Sequence, residues 1–201
     1  MMKEIKDFQG LHPEKRVFII SSGPSIENYD FKLLERRMTI GLNRSFMAYH
    51  PATYHCVMDL RLYELYKDEL SKSRYLFTFP DRPFGIPIQL LGAEGFSWDL
   101  SQGIYSGYTV SYYALQLAVY MGFEEIFFLG LDLKNKPKQT HFFGHDYHSQ
   151  DHETTEFPKM RKSFESIAPT LRERGFKVYN CSPESSLECF PYMSYEKAIS
   201  L

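Results

Sequence analysis

Residues Val17 to Ile20 form an unbroken apolar run that stops at Ser21-Ser22-Gly23-Pro24-Ser25. Such a run, bounded by small residues and Gly-Pro, reads as a buried β-strand ending in a tight loop. Three more runs share this design. Met38 to Leu42 ends at Asn43-Arg44-Ser45, Tyr54 to Met58 ends at Asp59, and Glu125 to Leu131 ends at Asp132. Apolar strands that alternate with helical stretches predict a parallel sheet covered on both faces. The expected fold is therefore α/β: a single Rossmann-like domain over residues 1–201, with a mostly parallel sheet and helices on both faces. No internal repeat or linker divides the chain.

In an open sheet of this kind, ligands bind outside the carboxyl ends of the strands. Gly23 has no Cβ and lets a ligand approach the backbone. Pro24 fixes one φ and stiffens the loop. The hydroxyls of Ser22 and Ser25, with free backbone N–H groups, would face a phosphate or sugar. An ordinary strand-to-helix turn with Ser25 as N-cap explains the same residues without a ligand. Asn43, Asp59 and Asp132 stand at the other strand ends and would converge with Ser22 on one crevice.

Phe31 to Arg37 reads as a short helix, Leu60 to Ser73 as an amphipathic one and Arg74 to Phe79 as a strand. Residues 81–103 hold several Pro and Gly and the single Trp98 without a clear period. A connection this long is often functional, and it reads as a flap or acceptor-side loop. The stretch Gly107 to Gly122 is apolar nearly all round and predicts a buried helix with Gly122 closing it. Ser106, Gly107 and Thr109 would present its N-terminus to an anion. Lys159 to Arg174 predicts an amphipathic helix, Phe176 to Tyr179 the last strand and Ser194 to Ser200 a terminal helix.

Thr140 to His152 carries four of the seven histidines, His141, His145, His148 and His152. On a helix all four would share a face, as zinc ligands can. Gly144 opposes that helix, and no HExxH or cysteine ligand set accompanies them, so no metal is assigned. They also suit a solvated surface loop. A histidine titrates near neutral pH and can take a proton from a hydroxyl nucleophile. The residues alone do not choose between His141 and His145 for that role.

Bulk properties narrow the classes. A net charge of −2 gives no general nucleic-acid footprint. No apolar run approaches the ~20 residues of a transmembrane helix, and the first residues show no apolar signal core. Cys56, Cys181 and Cys189 are odd in number and lack metal spacing, which suits a reducing cytoplasm. The 16% aromatic content suits a sugar or ring-bearing ligand, and a Tyr-rich core or a homo-oligomer interface explains it equally well.

The order of Ser22-Gly23-Pro24-Ser25, Asn43, Ser106-Gly107, Gly122-Phe-Glu-Glu-Ile126, Gly130-Leu-Asp132 and Gly144-His145 resembles two related families. One is the bacterial sialyltransferase family of lipooligosaccharide synthesis, which uses CMP-sialic acid. The other is the MptE-like family, typified by the archaeal 6-hydroxymethylpterin diphosphokinase. Gly107-Tyr-Thr-Val and Ala114 to Asp132 lie nearest the MptE-like pattern, as does Val178 to Leu187. Phe143-Gly144-His145 lies nearest the sialyltransferases. The resemblance implies a nucleotide-dependent transferase. Asn43 matches a nucleotide-binding Asn. Ser22 replaces another, and Asp59 replaces a third Asn at a strand end. Two tyrosines that steady the leaving phosphate are here Lys134 and about Thr140. Lys134 would neutralise a phosphate as a point charge. The family's catalytic His falls on His145.

The implied function is a glycosyltransferase with a nucleotide-activated sugar donor, CMP-linked by resemblance, and a small-molecule or glycan acceptor. It would serve surface glycan and lipopolysaccharide biosynthesis from the cytoplasm, with peripheral attachment at the inner membrane left open. The alternatives are an MptE-like diphosphokinase using ATP and Mg²⁺ at Asp59 or Asp132, and a non-catalytic nucleotide-binding module. Outside the diphosphokinase reading no cofactor is expected.

Overall fold

The computed structural model describes residues 3–134, 141–144 and 150–201, without the side chains of 150–153. Nine strands and five α-helices appear among these residues. Strands β1 (Lys15–Ile20), β2 (Thr39–Leu42), β3 (Tyr54–Cys56), β4 (Leu76–Thr78), β5 (Ile86–Pro87), β8 (Phe123–Leu129) and β9 (Lys177–Asn180) form one sheet in the order β5-β4-β3-β2-β1-β8-β9. Every neighbouring pair in it is parallel. The chain thus builds outward from β1 to β5 and then returns to the other side of β1. Strands β6 (Leu90–Gly92) and β7 (Ile104–Tyr105) form a separate parallel pair.

Alternation along β1 shows why the sheet is covered on both faces. Val17 and Ile19 join the core beneath α3 (Val110–Tyr120) and α4 (Gln150–Glu173). Phe18 and Ile20 join a second core with Ile26, Leu34 and Ala198, which α5 (Tyr195–Ser200) closes. All four strand residues are fully buried. This is the Rossmann-like α/β architecture that the apolar runs predict. Ala114, Leu117 and Ala118 of α3 are fully buried, and its ten residues from Ser111 to Tyr120 are all buried. Gly122 follows the C-cap Met121 with φ of 88°, a left-handed conformation that glycine adopts without cost.

Several boundaries differ from the sequence reading. The expected helix from Leu60 to Ser73 is two pieces, α1 (Leu60–Leu65) and α2 (Lys67–Leu70), broken where Tyr66 leaves helical geometry. Phe31–Leu34 is a single 3-10 turn. Helix α4 starts nine residues before Lys159 and runs through Pro158 and Pro169. The 81–103 segment, expected as a flap or acceptor-side loop, is packed on the body of the fold at several points. It adds β5 to the sheet edge, buries Ile86, Ile88 and Leu100, and packs Phe96 and Trp98 on the core. No described helix is long and apolar enough to cross a membrane. The three cysteines are free thiols; burial pushes those of Cys181 and Cys189 up to about 12 and Cys56 upward too.

Candidate functional site

A cavity of about 400 Å³ opens where β1, β2, β3 and β8 end. That size and place suit a small ligand. Ser22, Gly23, Asn43, Asp59, Thr109, Asp132 and Lys134 all stand on its wall. Ser25, Pro24, Ser106 and Gly107 do not line it, nor does any residue of 81–103.

On the β1–β8 wall, the donors of Gly23 and Ser25 are bound within the protein. The Ser25 N–H donates to Asp132 Oδ2 (3.0 Å) and the Ser25 hydroxyl to Asp132 Oδ1 (2.6 Å). The Ser182 hydroxyl lies 3.0 Å from that of Ser25. The Gly23 N–H donates to the Gly130 carbonyl at 2.9 Å. The groups of Gly23 and Ser25 expected to face a phosphate are therefore already bound within the protein. Gly23 has φ of −64°, so left-handed freedom is not what the position requires. Space is: a Cβ there would sit 2.5 Å from Gly130 O and 2.6 Å from Asp132 Cγ. What approaches Gly23 closely is the end of β8. Gly23 also holds the N-cap position of the 3-10 helix Pro24–Asn28, displacing Ser25 from that role.

The β2–β3 wall differs. Asn43 is left-handed, with φ of 48°. Its carbonyl lies 2.8 Å from His55 Nε2. A carbonyl only accepts, so Nε2 carries the proton. Burial lowers His55 to about 4, so the ring is neutral at neutral pH. The Asn43 Oδ1 is buried with no hydrogen-bond partner among the described residues. A buried polar atom left this way is uncommon and costly. Asp59 Oδ1 accepts from Leu62 N–H (3.0 Å) and so caps α1 while standing on the cavity wall. The adjacent Met58 carbonyl accepts from Arg82 Nη2 at 3.2 Å.

The first turn of α3 forms the third side, its partly positive N-terminal end at the cavity. Thr109 is the N-cap and accepts from Ser111 N–H at 3.3 Å. The Ser111 and Ser21 hydroxyls pair at 3.0 Å. Ser106 and Gly107 stand behind the wall, donating their N–H groups to Gly92 and Ala93 carbonyls. Gly107 is left-handed and packs against Tyr112, whose ring a Cβ would overlap at 2.2 Å. These two residues brace the start of α3.

Lys134 reaches the cavity while paired with Glu184 at 3.3 Å. His145, His148 and Thr140 lie outside the described residues, as does the side chain of His152. The described histidine of this cluster is His141, on the cavity wall. Its Nδ1 lies 3.0 Å from Ser22 Oγ, and its ring stacks on Phe143 with centroids 4.9 Å apart. Arg44 covers Phe143 in turn, 3.7 Å from the ring centroid. Residues 141–144 close a tight turn through two 3.0 Å bonds between His141 and Gly144.

Sequence reasoning missed Tyr108 and Glu156 on the wall. Tyr108 has φ of 64°, unusual for a tyrosine, and no sequence signal marks it. Glu156 lies in the part of α4 that Pro158 hides, since an internal proline ordinarily ends a helix.

No family model matches this chain, and no curated protein matches it. A solved structure does: the sialyltransferase CstII from Campylobacter jejuni, in complex with a substrate analogue, cytidine-5'-monophosphate. The TM-score is 0.57 at 16% identity, covering 91% of this chain and 86% of that one. At that identity the likeness is one of fold.

Proposed function

We propose that this chain is a nucleotide-dependent transferase, a sialyltransferase-like glycosyltransferase taking a nucleotide-activated sugar. The single observation that carries this reading is the cavity at the parallel strand ends, whose wall includes Asn43 with its buried, unpartnered amide oxygen. The fold shared with an enzyme solved with cytidine-5'-monophosphate supports a CMP-linked donor. In this reading the whole chain acts as one unit. Asn43, Asp59, Ser22 and Thr109 hold the nucleotide, while Gly23, Pro24, Ser25 and Asp132 keep the loop in shape. Ser106 and Gly107 brace α3, and Lys134 assists departure of the phosphate by swinging from Glu184. The acceptor proton goes to His145, with His141 as the rival base already on the wall. A cytoplasmic donor and a surface-glycan acceptor would place the enzyme at the inner face of a membrane.

A thermal-shift panel of CMP, CDP, UDP, GDP and ATP, each with and without Mg²⁺, tests this. Binding to the native state alone raises the melting temperature. CMP is expected to shift it without Mg²⁺. A shift by ATP only with Mg²⁺ would replace the reading with an MptE-like diphosphokinase. No shift by any nucleotide would sink both. Once a donor is found, replacement of the base by Ala should cut turnover by ~10²–10⁴-fold and spare nucleotide affinity. Comparing His145→Ala with His141→Ala identifies which histidine it is.

A further inference from the structure

We infer that His55 is a positioning residue that sets Asn43 for nucleotide binding; this rests on the nucleotide reading above. Asn43 is a non-glycine residue in the left-handed region, a conformation that persists only where its surroundings hold it. The neutral His55 ring donates from Nε2 to the Asn43 carbonyl and fixes that peptide plane. The ring itself is locked. His55 lies directly across from Gly41 in the β2–β3 ladder. A Cβ on Gly41 would meet His55 Nδ1 at 2.7 Å and Ser45 Oγ at 2.9 Å, so glycine makes the room the imidazole fills. The Ser45 hydroxyl accepts the Leu42 N–H at 2.8 Å and secures the same bend from the other side. The outcome is an Asn on the cavity wall whose Oδ1 is buried without a partner of its own, so a ligand must reach it by a small turn of that side chain. A ligand that donates a hydrogen bond there satisfies it; a cytosine amino group or a sugar hydroxyl has that chemistry.

A mere core histidine would affect stability but act independently of Asn43. A double-mutant cycle separates the two roles. CMP affinity is measured by calorimetry for wild type, His55→Leu, His55→Gln, Asn43→Gly and the Asn43→Gly/His55→Leu double variant. His55→Leu should weaken CMP by about tenfold or more, since the Asn43 carbonyl loses its donor. His55→Gln places an amide N–H near the Nε2 position and should stay within about threefold. Asn43→Gly should lose about as much as His55→Leu, and the double variant no more than Asn43→Gly alone. Unchanged affinity in His55→Leu overturns the inference, as do losses that multiply in the double variant. If His55→Leu does not fold, His55→Asn replaces it: its amide is too short to reach the carbonyl, and it must lose affinity where Gln does not. A wild-type chain that binds no CMP overturns the nucleotide reading and this inference together.

Discussion

On the β1–β8 side of the cavity, the Ser25 amide and hydroxyl both end on Asp132, and the Gly23 amide ends on Gly130. On the β2–β3 side, Asn43 gives its carbonyl to His55 and keeps its side-chain oxygen unpartnered. The first wall carries the more conspicuous motif, yet its Gly23 and Ser25 donors are already used inside the fold. The second carries one left-handed Asn and has capacity to spare. A small-residue loop after a strand therefore answers two different needs, close approach of another strand or close approach of a ligand. Only the partners of its donors tell which.

The largest expected effect tests the second wall through pH. Burial lowers His55 from its ordinary 6.5 to about 4. A depressed pKa contributes stability that is present above the unfolded value and lost as pH falls through the folded one. Stability should thus decline between about pH 6.5 and pH 4, by roughly 3 kcal/mol from this group. His12, lowered by burial, adds in the same direction. Urea unfolding at several pH values should show a slope in wild type that is visibly flatter in His55→Gln. Equal slopes would mean His55 is not the buried neutral ring described.

Next is Gly23→Val, which should strike the first wall. Its side chain would be forced against Gly130 and Asp132, at a cost of about 1–3 kcal/mol or more. The loss appears as a lower urea midpoint without any ligand present. A variant as stable as wild type that fails only in nucleotide binding would return the loop to a ligand-contacting role.

The smallest expected effect is Asn43→Gly. Glycine accepts the left-handed backbone, so stability should move by less than about 1 kcal/mol while nucleotide affinity falls. If stability falls by more and affinity holds, the two walls exchange roles.

The strands were legible because a parallel sheet covered on both faces demands continuous apolar runs, as in Val17–Ile20 and Ile126–Leu129. Asn43, Asp59 and Asp132, at their polar ends, line one cavity. Pairings across the fold were not legible. Nothing local in Ser25 says that its hydroxyl meets Asp132, because the contact exists only once β1 lies beside β8. Two-residue β5 and the α1–α2 break at Tyr66 escaped for a related reason: packing, not propensity, defines such short pieces. The part given to Lys134 came from family resemblance, because no local pattern marks a lysine two residues past Asp132 as a phosphate partner.

The strand order has a consequence for synthesis. Strand β1 is central, yet one of its two neighbours, β8, follows more than half the chain later. While the ribosome is still making α3, one edge of β1 exposes its backbone donors and acceptors together with buried-type Val, Phe and Ile. An open apolar edge of this kind recruits other strands. Closure waits until Leu129 has cleared the exit tunnel, and the cavity walls meet at the same moment. A truncation ending before Phe123 should thus yield aggregate and not a smaller working domain, and chaperone demand should peak on that half-made chain.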